Sequence, residues 1–224
     1  MKRILFTKEF PVDELKTALG DGFHVESHDF IRTEENDWAE IEQHIDTTSS
    51  NFIVSSVRSA RLIKDLPCSS QFYIVGEKSK EILEKAGYHV AHCALYAVEL
   101  VDFIKNNFKE KAVFNFLCSQ IRRDTIPESL KALGHEVNEI VAYHTTYKNI
   151  EIEDDFDTYV FYSPSGVNSF VEQYGIAEKG RIFAIGKTTA DAVEESMGRK
   201  AEFPDRPDNN SLIQFIKTRL NAEK

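Results

Sequence analysis

One passage of the chain occurs twice. Phe52-Ile53-Val54-Ser55-Ser56, a helical segment, Phe72-Tyr73-Ile74-Val75-Gly76 and then Ser79, heading a helix that ends at Gly87, form the first copy. Tyr159 to Ser163, a helical segment, Ile182 to Gly186, Thr188-Thr189 and a helix ending at Gly198 form the second. A duplication on this scale implies two similar lobes. Within each copy a short apolar run passes directly into a helical pattern, and the same alternation runs through most of the chain. Short buried strands alternating with helices make parallel sheets covered on both faces. The expected fold class is therefore α/β, with two similar lobes, each a parallel sheet flanked by helices.

Two segments break the alternation. Residues 23–33 (FHVESHDFIRT) and 135–149 (HEVNEIVAYHTTYKN) are long, extended and polar. Their pattern suits connecting strands with exposed faces better than core strands, and side by side they would make a two-stranded linker. That divides the chain into a discontinuous lobe of residues 1–23 plus 150–224, an inserted lobe of 34–142, and linker strands at 24–33 and 143–149. A further short strand is expected around 201–203, before a last helix from Ser211.

Composition narrows the class. The 224 residues are 42% hydrophobic and 29% charged, enough apolar content for proper cores. The formal net charge of −10 argues against a nucleic-acid or anionic-membrane partner, both of which need a basic footprint. Cys68, Cys93 and Cys118 make neither a disulfide framework nor a metal-binding spacing, and read as reduced, buried thiols of a cytoplasmic protein. The start of the chain runs straight into the strand at 4–7, interrupted by Lys8 and Glu9, so no signal peptide is expected there. No apolar run reaches the length of a membrane span.

The functional signal lies in the turns that follow the strands. In RIFAIGKTTADAVEESMG, residues 181–198, a buried strand ends at Gly186 and a helix opens at Lys187-Thr188-Thr189. Gly186 permits a sharp turn, and the threonines stand where an N-cap and first turn would be. Such a helix start presents free N–H groups and the positive end of the helix dipole, so an anion is its natural occupant. The simpler reading is that a threonine only caps its helix. Similar starts follow Ser56, Gly76 and Ser163.

These passages resemble the uroporphyrinogen-III synthase family. YVFYSPSGVNSF is similar to that family's strand–Ser-Pro-Ser–helix element, IFAIGKTTADAVEESMG to its Ile-Gly-x-Thr-Thr element, and FYIVGEKSKEILEKAGYHV to its Val-Gly-x-x-Thr element. EIVAYHTTY looks like its returning strand with Tyr-x-Thr, and KRILFTKE like its opening strand, with Thr7-Lys8 where the family usually has Thr-Arg. Ser79 replaces the family's threonine, and Cys118-Ser119-Gln120 stands where a glycine is frequent.

The resemblance implies a cofactor-free and metal-free enzyme that cyclises hydroxymethylbilane to uroporphyrinogen III in a cleft between lobes. Water is lost and the last pyrrole ring is inverted. The small-molecule substrate, a linear tetrapyrrole, carries many carboxylates, and folding it against the uncatalysed, uninverted closure is a positioning task. Backbone amides at Val57, Lys78, Ser165 and Thr188 are the expected carboxylate donors, in turns formed by Ser56, Gly76, Ser163, Gly166 and Gly186, with hydroxyls from Ser79, Thr188 and Thr189. Tyr143, at the Tyr-x-Thr position, is the implied acid that helps hydroxide leave. A phenol stays protonated at neutral pH and can donate to a departing oxygen.

The residues themselves leave alternatives open. Tyr143 reads equally as a half-buried aromatic on a linker strand, and Tyr147 lies on the same face of a regular strand. Arg58 reads as a solvated helix residue or a substrate contact. Arg122 and Arg123 could reach an anion. His24 and His28 sit in an extended segment and are assigned no metal. The chain is expected to work as a monomer. The competing class is a non-catalytic two-lobed ligand-binding or regulatory module of the same fold.

Overall fold

The computed structural model describes residues 1–20, 22–122, 124–152 and 155–221. The chain begins β1 (Lys2–Phe6), α1 (Val12–Leu19), β2 (Phe23–Ser27), β3 (Ile31–Glu35), α2 (Trp38–Gln43), β4 (Asn51–Val54) and α3 (Val57–Leu62). It continues β5 (Gln71–Val75), α4 (Glu77–Lys85), β6 (His89–Ala94), α5 (Ala97–Asn107), β7 (Val113–Ser119), α6 (Thr125–Ala132) and β8 (Glu136–Tyr147). It ends β9 (Thr158–Phe161), α7 (Pro164–Tyr174), β10 (Arg181–Ala184), α8 (Lys187–Met197) and α9 (Asn209–Asn221).

Contacts divide the chain into two compact units, Met1–Arg32 with Thr146–Lys224, and Thr33–Thr145. Unit 1 holds a four-stranded sheet in the order β10-β9-β1-β2, parallel throughout. Period-two alternation sorts its strands onto two cores. Ile4, Phe6, Val160 and Phe183 pack with Leu15 and Leu19 of α1 and Leu212 and Ile216 of α9. Leu5, Tyr159, Phe161 and Ile182 face the other way, against Val167 and Phe170 of α7 and Val193 of α8.

Unit 2 is built around the six-stranded order β3-β8-β7-β4-β5-β6, parallel from β8 to β6. One face buries Phe52, Val54, Phe72, Ile74 and Leu117 under Ile41, Ala60 and Leu83 of α2, α3 and α4. The other buries Ile53, Tyr73, Phe114 and Phe116 under α5 and α6, through Leu100, Ile104, Ile126 and Leu130. Strands covered on both faces read as continuous apolar runs, which is why NFIV, QFYIV and VFNFL are recognisable without a partner in view.

At the sheet edge Asn36 N–H donates to the Ala142 carbonyl, and Lys148 N–H to the Phe30 carbonyl. Partner numbers fall along β8 as they rise along β3, so this pair is antiparallel. The chain passes between units inside these two strands.

Three local expectations are corrected. Residues 23–27 are not part of an exposed linker. They form β2, paired in parallel with β1 from Lys2↔Phe23 to Phe6↔Ser27, with Phe23 and Val25 buried. Their polar look comes from one face alone, where Glu26 takes an ion pair from Arg3 at 2.8 Å. The expected strand at 201–203 is a single bridge between Phe183 and Glu202. Helix α4 starts at Glu77, two residues before Ser79, so Gly76 is its N-cap and Ser79 lies within its first turn.

Candidate active site

Both sheets have a point where successive connections leave in opposite directions. In unit 1, β1 connects through α1 to β2 on one side, and β9 through α7 to β10 on the other. In unit 2, β4 connects through α3 to β5, while its neighbour β7 connects through α6 to β8. Such a reversal opens a crevice at the carboxyl ends of the strands, the usual ligand edge of a parallel sheet. Thr7, Lys8 and Ser163 lie at that edge in unit 1. Ser56, Ser119 and Tyr143 lie there in unit 2.

The duplication extends to the helix starts. Ser56 caps α3 by accepting from Ser59 N–H at 3.0 Å, and Ser163 caps α7 by accepting from Gly166 N–H at 3.0 Å. In both copies the next helix has glycine at its N-cap and no capping side chain, Gly76 before α4 and Gly186 before α8. Each copy of the repeat therefore has one helix start satisfied by its own serine and one without a side-chain cap. The two glycines are required for different reasons. Gly76 has φ +95, a conformation other residues rarely adopt. Gly186 is fully extended, but a Cβ there would meet Pro207 Cβ at 3.0 Å.

The expected donors divide by exposure. Val57, Ser165 and Ser163 are half-buried, and Lys78 and Thr188 exposed. The capping geometry differs from expectation at the threonines, because Gly186 occupies the N-cap and Thr188 and Thr189 follow inside the first turn. Ser79 and Thr189 keep only 1% and 3% exposure, so neither hydroxyl projects into solvent and Thr188 is the exposed member. Gly166 is buried beside Ser163 Oγ and Thr7 Oγ1, where a Cβ would lie 3.3 and 3.6 Å from them. Thr7 itself donates to the Val160 carbonyl at 3.1 Å, which locks β1 to β9 at the crevice.

Lys8 holds its Nζ 5.5 Å from the Phe10 ring and 5.9 Å from the Tyr162 ring. Its loop is pinned to the end of β2: Ser27 Oγ donates to the Lys8 carbonyl at 2.9 Å and accepts from Phe10 N–H at 2.8 Å. Tyr162 is half-buried, its phenol donates to Asn209 Oδ1 at 3.0 Å, and desolvation pushes its pKa upward.

Tyr143 sits in β8 at an irregularity that sequence periodicity does not reveal. Cys118 pairs with Val141, but Ser119 pairs with Tyr143, so Ala142 is an extra residue in the ladder. A bulge of this kind re-aims the following side chain. Regular alternation would turn Tyr143 away from buried Ala142, yet both pack on the same core face. Its ring is half-buried, and its hydroxyl makes no hydrogen bond among the described residues. By contrast, Tyr88 accepts from Leu66 N–H and Tyr159 from Phe156 N–H. Arg58, from the first turn of α3, places its guanidinium carbon 5.6 Å from the Tyr143 ring centroid. Glu35 accepts from its Nη1 at 2.7 Å. Arg58 keeps 41% side-chain exposure in this arrangement, as a solvated helix residue does. Tyr147 is half-buried in unit 1.

Arg122 is corrected as an anion candidate. Its guanidinium is engaged by Glu139 and by Asp124, the latter at 2.7 Å, and Lys131 reaches Glu139 at 2.7 Å. Arg123 lies outside the described residues. Of the three cysteines expected to be buried, Cys118 is buried, but Cys93 is half-buried and Cys68 exposed. Burial pushes the Cys118 thiol up to about 11 against the opposing charge of Arg122, so this cysteine is no nucleophile at neutral pH. Among the described residues no group of His, Cys, Asp or Glu side chains is placed to hold a metal ion. Nor is any helix among them long and apolar enough to cross a membrane.

Comparison with known proteins bears on what this site serves. The chain is 24% identical over 179 residues to the uroporphyrinogen-III synthase of Saccharomyces cerevisiae, a match spanning 66% of this chain and 64% of the yeast protein. A variant of the Thermus thermophilus uroporphyrinogen III synthase superposes with TM-score 0.77 at 14% identity, covering 100% of both chains. The Helicobacter pylori uroporphyrinogen-III synthetase superposes with TM-score 0.63 at 14% identity, over 97% of this chain and 99% of that one. At such identities the structures speak for the fold. The family profile described as uroporphyrinogen-III synthase HemD matches residues 13–214, across both units, and the chain belongs to the uroporphyrinogen-III synthase family.

Proposed function

We propose that the chain converts hydroxymethylbilane to uroporphyrinogen III. The match of the family profile over residues 13–214 carries this reading. The reaction is a dehydration and a ring closure with no change of oxidation state, so it calls for no redox cofactor. Its demands are anchors for many carboxylates and one proton donor for the departing hydroxyl.

In this reading the helix starts at Val57, Lys78, Ser165 and Thr188, in turns formed by Ser56, Gly76, Ser163, Gly166 and Gly186, receive carboxylates through backbone N–H groups. This explains how a protein of net charge −10 handles a polyanion: the charge that matters is local and comes from peptide dipoles. Thr188 adds an exposed hydroxyl, while Ser79 and Thr189 are buried in the first turns of α4 and α8. Tyr143 is the acid, and its uncommitted hydroxyl supports that role. The enzyme works as a cytoplasmic monomer.

The test is to supply freshly prepared hydroxymethylbilane and resolve type III from type I product by chromatography. Mostly type III product from the wild type is expected, with Tyr143→Phe losing about 100-fold in kcat, the scale of a general acid. Type I product alone, at the uncatalysed rate, would sink the synthase reading and leave a binding module on this fold.

A further inference from the structure

We propose that Arg58, fixed by Glu35, positions Tyr143 and stabilises the negative charge that develops on its oxygen during the acid step. This rests on Tyr143 being the acid, and adds a residue to that role. In that step the phenol O–H bond breaks and its electron pair stays on Tyr143. The proton goes to the hydroxymethyl oxygen as the C–O bond breaks with its pair moving to oxygen. Water leaves, and the pyrrole nitrogen's electrons support the cationic azafulvenium carbon. A phenolate therefore forms beside a carbocation, and whatever steadies the phenolate accelerates the step.

Three elements converge on this pair. Tyr143 follows the bulge in β8 beside Ser119, Arg58 stands in the first turn of α3, and Glu35 ends β3. The 5.6 Å from guanidinium carbon to ring centroid lies within the range of a cation–π contact. Arg58 and Glu35 are 41% and 43% exposed, so their 2.7 Å ion pair contributes little to stability. Its effect is geometric: one nitrogen is tethered, and the planar group is held against the ring of the proposed acid. Among the described residues, no other cation is recorded over this ring.

Steady-state kinetics and product ratios for wild type, Arg58→Met, Arg58→Lys, Glu35→Gln, Tyr143→Phe and the Arg58→Met/Tyr143→Phe double variant test this. The wild type is read first, since type I product alone from it refutes the synthase reading and this inference together. Given type III product, Arg58→Met should lower kcat about tenfold with KM within about twofold, and Arg58→Lys should recover part of the loss. Glu35→Gln should fall between. In the Tyr143→Phe background Arg58→Met should change kcat no further, because the hydroxyl it serves is gone. An equal loss in both backgrounds, an unchanged kcat, or a raised KM at constant kcat would each overturn the proposal. Thermal melts accompany every variant, and if Arg58→Met fails to fold, Arg58→Lys and Glu35→Gln in the two backgrounds decide the same question.

Discussion

Gly76 and Gly186 occupy equivalent places in the duplicated passages, so the same substitution at both isolates why each is glycine. At Gly76, φ is +95 and ψ 130, and a Cβ would meet nothing within 4 Å. The penalty for alanine is therefore backbone strain alone, about 1–3 kcal/mol for a residue forced into such a region. Alanine also restricts the unfolded chain, which returns about 0.4–1 kcal/mol. The expected net loss for Gly76→Ala is roughly 0.5–2 kcal/mol. At Gly186 the backbone is extended and alanine adopts it freely, but its Cβ would lie 3.0 Å from Pro207 Cβ. Pro207 is exposed and can retreat, so Gly186→Ala should fall within about 1 kcal/mol of wild type. Trp38 is the single tryptophan and lies in unit 2, so its fluorescence reports that unit alone. In urea, Gly76→Ala should lower the Trp38 midpoint by roughly 0.2–2 M, given slopes of about 1–3 kcal/mol per molar. Gly186→Ala should leave the Trp38 midpoint unchanged. An unshifted midpoint in Gly76→Ala, or a larger loss in Gly186→Ala by circular dichroism, would refute the division into strain and contact.

Two further outcomes follow from buried polar groups in unit 2. Asn115 is fully buried, accepts from Asp46 N–H and Asn138 Nδ2 at 2.8 Å, and donates to the Asp46 carbonyl at 3.0 Å. Asn115→Leu strands these partners and should cost at least about 2 kcal/mol in the Trp38 titration, whereas a change below about 0.5 kcal/mol would contradict that accounting. His135 is buried, its Nδ1 accepts from Ala112 N–H at 3.2 Å, and burial holds its pKa below the ordinary 6.5. The unfolded chain then binds the proton more readily, so the contribution is complete above about pH 6.5 and lost as pH falls through the folded value. His92, displaced in the same direction by burial, contributes with the same sign. His135→Phe should flatten the acid limb of stability in urea titrations taken across that window, and an unchanged limb would refute the assignment.

How far the sequence carried depended on whether a feature repeats. The alternation of NFIV, QFYIV and VFNFL with amphipathic helices, and the helix starts after Ser56 and Ser163, follow from periodicity and local chemistry and were readable. β2 was not, because an edge strand with one buried face, Phe23 and Val25, shows a polar outer face that imitates a linker. The bulge at Val141-Ala142-Tyr143 has no glycine or proline to announce it, and with it goes the direction of Tyr143. Ser79 read as a presented hydroxyl because its helix was expected to begin there. The structure starts α4 two residues earlier and turns that position inward. Arg58 and Arg122 look alike in sequence. They differ only in which carboxylates long-range packing brings near, Glu35 for one and Glu139 with Asp124 for the other.

The order of strands in unit 1 also bears on how the chain emerges from the ribosome. β1 is a central strand, and its two neighbours are synthesised at opposite ends of the process: β2 at once, and β9, through Ile4↔Thr158, only after all of unit 2. Residues 33–145 can complete their own sheet while β1 still presents an open hydrogen-bonding edge flanked by Ile4, Leu5 and Phe6. A message truncated between the end of unit 2 and residue 158 therefore yields a chain with unit 2 whole and a permanently bare, apolar strand at its amino end, the kind of edge that recruits other chains.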